Sequence, residues 1–390
     1  MAPVNFNKVH WSSFLLYLQQ SIQKAYSAKH IVYLPFHANK FTQMKNLRHL
    51  SSLEIHQLLA DMGQPKYRAQ QVEEWIWKKG VNSIQDMLNL SKALREELAT
   101  NYTLNKLLID HTQLSDDTTI KNRFVLHDGH FVEGVLIPTS TRMTACVSSQ
   151  VGCSLSCKFC ATGYMDRKRN LDFDEIYDQV MHLNQQALTH YQKPLSNIVF
   201  MGMGEPLLNY SQVLKSIAKI TSPEGMGMSP SRITVSTAGV SKMITKLADD
   251  KVKFNLALSL HAANDTKRNQ IMPINETNQL KVLIDSLNYF YKATKNPITF
   301  EYILFDNFND SIEDADELIK ICRQVPSKVN IIEYNPIALA KFAKPTEEKV
   351  DAFMQYLDRN RVNARLRRSR GKDIDAACGQ LANINHPSTS

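Results

Sequence analysis

Cys153-Ser154-Leu155-Ser156-Cys157-Lys158-Phe159-Cys160 is the stretch on which the reading of this chain turns. It sets three of the six cysteines within eight positions, spaced C-x3-C-x2-C. Six cysteines in 390 residues are too sparse for a disulfide scaffold. Clustering of this kind points to metal. Three thiolates cannot build a closed four-cysteine site, but a 4Fe–4S cube held by three thiolates keeps one iron open. An open iron can chelate a small ligand, and the amino and carboxylate groups of S-adenosylmethionine (SAM) suit it. A structural zinc site is the alternative, although no histidine lies within about twenty residues of the run to complete one.

Outward from this run the hydrophobic period describes an α/β protein. Ile120–Leu126 and Phe131–Ile137 flank Asp128-Gly129, a hairpin signal. Strands are expected near 144–148, 198–201, 233–236, 254–260, 299–304 and 329–334. Helices are expected from Asp174 and near 213–220, 280–291, 312–322 and 350–357. Six strands joined by helices imply a parallel sheet curled into a partial (β/α)6 barrel. Ligand residues of such folds collect at the carboxyl ends of the strands. Gly204-Glu205 follow one expected strand, Ser236 and Ser259-Leu260-His261 end the next two, and Asn335 follows the last. A glycine lets backbone approach a ligand and a carboxylate can hold an ammonium group. A strand-to-loop turn with a surface glutamate reads equally well, and serine and asparagine at strand ends are commonly turn residues.

Residues 44–117 read as a small helical domain ahead of the barrel at 118–382, with 383–390 as a tail. Leu53, Ile55, Leu58 and Leu59 have helical spacing. A second helix carries Val72, Trp75, Ile76 and Trp77 and stops at Lys78-Lys79-Gly80. Residues 1–43 contain no Asp or Glu and four Lys. Two readings of this leader stand open: translation beginning at Met44, or a further helix around Trp11–Ala28. The net charge of +8 permits a polyanionic partner such as RNA. No apolar run approaches the roughly eighteen residues of a membrane span, and the chain reads as a cytoplasmic protein with no membrane partner.

With its aromatic Phe159 before the last cysteine, the cysteine run resembles the radical SAM signature. Its surroundings are more specific. Cys146-Val147-Ser148-Ser149-Gln150-Val151-Gly152-Cys153, Ala161-Thr162-Gly163, Met201-Gly202-Met203-Gly204-Glu205-Pro206-Leu207 and Asp373-Ile374-Asp375-Ala376-Ala377-Cys378-Gly379-Gln380-Leu381 resemble the RlmN/Cfr family of 23S rRNA adenine methyltransferases. The resemblance runs from about residue 50 to 382. It implies a 4Fe–4S cluster on Cys153, Cys157 and Cys160. It also implies SAM contacts from Gly204, Glu205, Ser236, Ser259, Leu260, His261 and Asn335.

Two cysteines that read alone as buried small hydrophobes, as Cys322 does, acquire roles in that family. An aromatic C–H carbon has no lone pair with which to attack a methyl sulfonium. The implied route therefore uses two SAM molecules per turnover. The first methylates Cys378, and the second yields a radical that activates the S-methyl group for addition to adenine. Cys146 then attacks the Cys378 sulfur, and a transient disulfide frees the base. Glu133 matches the family's proton acceptor, and sequence leaves open whether it or Cys146 takes the proton. Implied partners are 23S rRNA, tRNA and a flavodoxin or ferredoxin electron donor, with the enzyme a monomer. Pro206 favours methylation of carbon 2 over the carbon 8 chemistry of Cfr-type enzymes, which tend to carry alanine there. A non-catalytic, metal-stabilised RNA-binding protein is the rival from another class. Arg365, Arg367, Arg368, Arg370 and Lys372, and also Arg167-Lys168-Arg169, are expected to meet RNA phosphates.

Overall fold

The computed structural model describes residues 44–383. The readings of the leader and most of the tail lie outside the described residues. Ten strands form one sheet: β1 (Leu108–Leu114), β2 (Ile120–Val125), β3 (Phe131–Pro138), β4 (Met143–Cys146), β5 (Asn197–Phe200), β6 (Ile233–Thr237), β7 (Asn255–Ser259), β8 (Ile298–Leu304), β9 (Ser327–Glu333) and β10 (Ala364–Arg367). Their order in the sheet is their order in the chain. β1 to β4 pair antiparallel, and every pairing from β4 to β10 is parallel. Parallel neighbours require crossovers. These are supplied by α4 (Phe173–Tyr191), α5 (Tyr210–Thr221), α6 (Ser241–Asp249), α7 (Asp265–Ile271) with α8 (Leu280–Thr294), α9 (Ile312–Gln324) and α10 (Glu347–Arg359). The sheet stays open, with β1 and β10 at its edges. This is the expected partial barrel.

Local sequence accounts for most of these elements. β8 reads Ile-Thr-Phe-Glu-Tyr-Ile-Leu and is buried along its whole length, as a strand covered on both faces must be. The hairpin between β2 and β3 turns at Gly129, whose φ of +81° suits glycine. β10, the basic strand read before Cys378, is a seventh parallel strand beyond the expected six, with Arg365 and Arg367 on one face of it. One strand escapes the sequence pattern. β1 lies half exposed on the sheet edge, so its alternation is weak.

Ahead of the sheet stand three helices: α1 (Ser52–Asp61), α2 (Tyr67–Glu74) and α3 (Lys92–Asn101). Ser51 and Glu54 cap α1 reciprocally, and Ile55 and Leu59 face the core. Leu53 falls on the open face. α2 continues as a wider turn over Trp75–Lys79 and ends at Gly80, φ +62°. Trp77 is buried, whereas Trp75 is half-buried with the Lys79 ammonium 3.8 Å from its ring centroid.

A buried charge fastens this helical region to the barrel. The Arg48 guanidinium donates twice to the Asp178 carboxylate on α4, at 2.7 Å each, and lies over the Trp77 ring. Lys106 and the backbone N–H of Leu107 also reach Asp178. Asp174, one turn earlier on α4, takes Asn46 and His49. Among the described residues no helix is long and apolar enough to cross a membrane. Removing one partner of a buried ion pair strands the other, so Arg48→Met should lower stability by about 3 kcal/mol or more. Denaturant unfolding checks this; an unchanged midpoint would show that the pair does not secure the helical region.

Candidate active site

The carboxyl ends of the parallel strands carry the site. Cys146 is the last residue of β4, and the loop after it holds the three-cysteine run. Gly202–Glu205 follow β5, while Ser236 and Ser259 sit at the ends of β6 and β7. An open cavity, with about 960 Å³ of empty volume, lies across these ends. Cys153, Cys157, Cys160, Gly204, Glu205, Ser236, Ser259, His261 and Cys378 all line it. Leu260 instead belongs to the hydrophobic core behind the cavity. Asn335 is buried, donating to Ser369 Oγ at 2.8 Å, and is not a lining residue. Cys146 is buried too, close enough to Cys378 that charge on the Cys378 sulfur adds to burial in holding the Cys146 thiol up.

Glu133 stands apart. One carboxylate oxygen accepts the backbone N–H groups of Ala382 and Asn383, at 2.9 and 3.2 Å, and the other lies 3.7 Å from Lys121 Nζ. It anchors the segment that follows Cys378. The basic run before Cys378 is also more occupied than its charge suggests. Arg370 donates to the carbonyls of Asp117 and Pro138, and Lys372 and Lys344 converge on Glu333. Arg368 pairs with Glu347. Arg367 turns inward and lines the cavity, where the charges of Cys378 and Glu301 act on its guanidinium. Of this run, Arg365 is exposed and has no ion pair among the described residues.

The cysteine loop is tightly seated. Cys160 N–H donates to the Cys157 carbonyl and Gly163 N–H to the Cys160 carbonyl. A Cβ on Gly163 would stand 2.5 Å from the Cys157 carbonyl oxygen, so only glycine fits there. Burial pushes the Cys153 thiol up to about 11 and that of Cys157 well above its ordinary value. Such thiols keep their protons unless metal cations displace them. Three thiols gathered on one loop beside an open cavity suit a metal centre held through three cysteines.

Comparison with known proteins agrees. The sequence pattern of the ribosomal RNA large subunit methyltransferase N-terminal domain matches residues 45–104, and that of the radical SAM superfamily matches 147–319. A "Probable dual-specificity RNA methyltransferase RlmN" of Cytophaga hutchinsonii is 58% identical across 87% of this chain and 93% of its own. This chain belongs to the RlmN family. The "Dual-specificity RNA methyltransferase RlmN" of Syntrophobacter fumaroxidans is 42% identical over 84% of this chain and 95% of its own. The crystal structure of a radical SAM methyltransferase from Sphaerobacter thermophilus superposes with a TM-score of 0.82 at 39% identity, covering 86% of this chain and 99% of that one. RlmN membership brings with it radical SAM chemistry, an iron–sulfur cluster and SAM, and it overturns the reading as a non-catalytic RNA-binding protein.

Three residues of the cavity neighbourhood escape sequence reading. Glu301, on β8, is the register partner of Ser259 and lines the cavity with Oε2 unpartnered. Strand-end logic reaches it once β7 and β8 are aligned. Arg367, read as a phosphate contact, lies 3.8 Å from that oxygen. Arg268 on α7 is wholly buried and donates to the carbonyls of Ala238, Ser259 and Leu260, tying together the ends of β6 and β7. His261 is held neutral: burial lowers it to about 3, and its Nδ1 accepts from the Ile303 N–H. Its Nε2 therefore carries the hydrogen. Gly163→Val should yield folded protein with a markedly lower iron content after reconstitution. Iron assay against circular dichroism checks this, and full iron loading would refute the fit of the loop.

Proposed function

We propose that this RlmN-family enzyme methylates carbon 2 of a specific adenine in 23S rRNA and of the adenosine beside the tRNA anticodon, in the cytoplasm. Cys378 serves as the methyl carrier and Cys146 as the resolving thiol. The observation that carries this reading is Cys378 lining the same cavity as the three cluster cysteines, within electrostatic reach of buried Cys146. A cavity meant only to cleave SAM has no need of two further cysteines.

Bound there, a 4Fe–4S cluster held by Cys153, Cys157 and Cys160 together with SAM supplies a carbon radical. Glu205 suits the ammonium end of SAM. Its carboxylate is buried, accepts from Ala238 and Leu207 N–H, and is raised by burial to about 7. A cation beside it restores the charged form. Gly204, at φ +90°, lets the loop fold onto Gln150, whose side chain takes Glu205 N–H. Ser236, Ser259 and the His261 N–H offer further polar contacts for a second SAM group, and Asn335 and Leu260 support the wall behind them.

Cys378 sulfur first accepts a methyl group, because sulfur has the lone pair that the base carbon lacks. Half-buried Arg367 lines the cavity close enough for charge on the Cys378 sulfur to act on its guanidinium. Once the S-methylene is bonded to the base, Cys146 attacks the Cys378 sulfur. The S–S bond forms as the S–C bond breaks, and the electron pair stays on the methylene carbon, which takes a proton and leaves as the methyl group. A dithiol reductant then resets the disulfide. Burial raises the Cys146 thiol to about 12, so it loses its proton only as it attacks. Before the base is released, the radical adduct gives up the carbon 2 proton and one electron; Glu133 serves as proton acceptor once Ala382 and Asn383 release its carboxylate, and the electron would return to the bound cluster.

Nucleoside analysis after anaerobic reaction with unmodified 23S rRNA and tRNA tests the reading, with 2-methyladenosine the expected product. 8-Methyladenosine would move the assignment to carbon 8, and no methylated adenosine would overturn it. Cys146→Ala should accumulate a covalent RNA–protein adduct at Cys378, seen by mass spectrometry; normal turnover would remove the resolving role. Glu205→Gln should weaken SAM binding about tenfold or more, measured by calorimetry.

A further inference from the structure

A second, shallower groove borders the cysteine loop. It is lined by Cys153, Ser154, Ser156, Gly163, Tyr164, Met165, Asp166, Arg167 and Lys168, and it shares only Cys153 and Gly163 with the SAM cavity. Cys157 and Cys160 line the cavity alone. Cys153 is thus the one cluster cysteine on both surfaces. We propose that this groove is the docking site of an acidic one-electron carrier protein, and that its electron reaches the cluster at Cys153. The proposal rests on the reading that this trio holds a redox-active cluster.

Three observations carry it. First, the wall is rigid and fixed to the ligand. Gly152 takes φ +74°, and a Cβ there would stand 2.1 Å from the Asp166 carbonyl oxygen. Lys168 N–H donates to the Val151 carbonyl at 2.8 Å, and Cys153 N–H to Met165 at 3.4 Å. Arg167 and Lys168 therefore stand at a fixed place relative to Cys153.

Second, the groove is cationic with its charge available. Arg167 and Lys168 are exposed, set against the single carboxylate of Asp166. The Lys168–Asp166 pair at 3.4 Å is solvent-exposed and holds neither partner firmly. Arg169, the third cation of the run, is consumed by Asp128 and Glu175 and is not part of the groove. Small, charge-steered interfaces of this kind are typical of electron-transfer encounters, which must form and part in every cycle.

Third, the other approach is occupied. The cavity face of the cluster loop is closed by the segment carrying Cys378, through Ala161 N–H to the Gly379 carbonyl at 2.7 Å and Thr162 Oγ1 to the Leu381 carbonyl at 2.6 Å. SAM and the target base need what remains of that face. Electron transfer falls steeply with distance, so the carrier needs a face that touches a ligand of the cluster and leaves the cavity alone. A target base, by contrast, must reach Cys378, which does not border the groove. This favours a carrier protein over RNA phosphates as the partner of Arg167 and Lys168.

The test uses the cluster-loaded full chain and the double variant Arg167→Glu with Lys168→Glu. The probe is a reduced bacterial flavodoxin. Its affinity for the enzyme and the rate at which the enzyme oxidises it are measured by stopped flow across a salt series. The variant should lose about tenfold or more in both, with a flatter salt dependence. Cluster reduction by dithionite, which needs no docking, and affinity for the RNA substrate should be unchanged. Unaltered flavodoxin affinity and rate would overturn the proposal. So would a matching loss of RNA affinity, which would assign the cations to phosphate. Absence of iron from the wild-type protein would instead defeat the underlying cluster reading.

Discussion

The hydrogen bond from Ala161 N–H to the Gly379 carbonyl, 2.7 Å long, joins two parts of the chain that are distant in sequence. It is the contact on which the site depends. With Thr162 Oγ1 on the Leu381 carbonyl it seats the C-terminal segment on the cysteine loop, and so puts Cys378 on the same cavity as Cys153, Cys157 and Cys160. A side chain at 379 would strain this approach. Gly379 takes φ +85°, and a Cβ there would crowd the Phe159 carbonyl. Further anchors hold the same segment. Asp373 accepts from Ser115 and Asp116, Gly371 donates to Asp117, and Glu133 accepts from Ala382 and Asn383. The antiparallel strands β1 to β3 thus act as a clamp for the segment around Cys378 as much as an extension of the sheet.

A second physical theme is incomplete charge. The protein alone leaves half-buried thiols protonated, one carboxylate raised to about 7, and Glu301 Oε2 without a hydrogen-bond partner. Each is an unfavourable arrangement in an empty cavity and a favourable one beside metal cations or a sulfonium amino acid. Stability is given up at the site in exchange for affinity. The helical region shows the opposite case, where the two terminal nitrogens of Arg48 meet both oxygens of Asp178 from within the chain.

Much of this was legible from the sequence because local signals and short spacings carry it. The cysteine run, the hairpin glycine and the strand ends at Ser236 and Ser259 need no knowledge of tertiary structure. What stayed hidden depends on direction and partnership. Arg367 and Arg368 look alike in a basic run, but strand alternation sends one into the cavity and the other to Glu347. Glu301 hides inside an apolar strand, and Arg268 in a short polar helix. Glu133 matches a family position, yet its partners at 382 and 383 come from the far end of the chain. β10 is short, Ala-Arg-Leu-Arg, and its arginines share one face, so the basic run reads as a solvated surface although Arg367 lines the cavity.

The consecutive strand order has a consequence for synthesis. Because each new strand adds beside the last one made, the sheet can grow from one edge as the chain leaves the ribosome. The cysteine loop and the glycine loop are in place early, whereas Cys378 emerges near the end. A nascent chain can therefore fold the cysteine loop and its cavity before Cys378 has been made. The order of translation keeps the segment that closes this face of the cysteine loop for last, so the three cysteines stay accessible until it arrives.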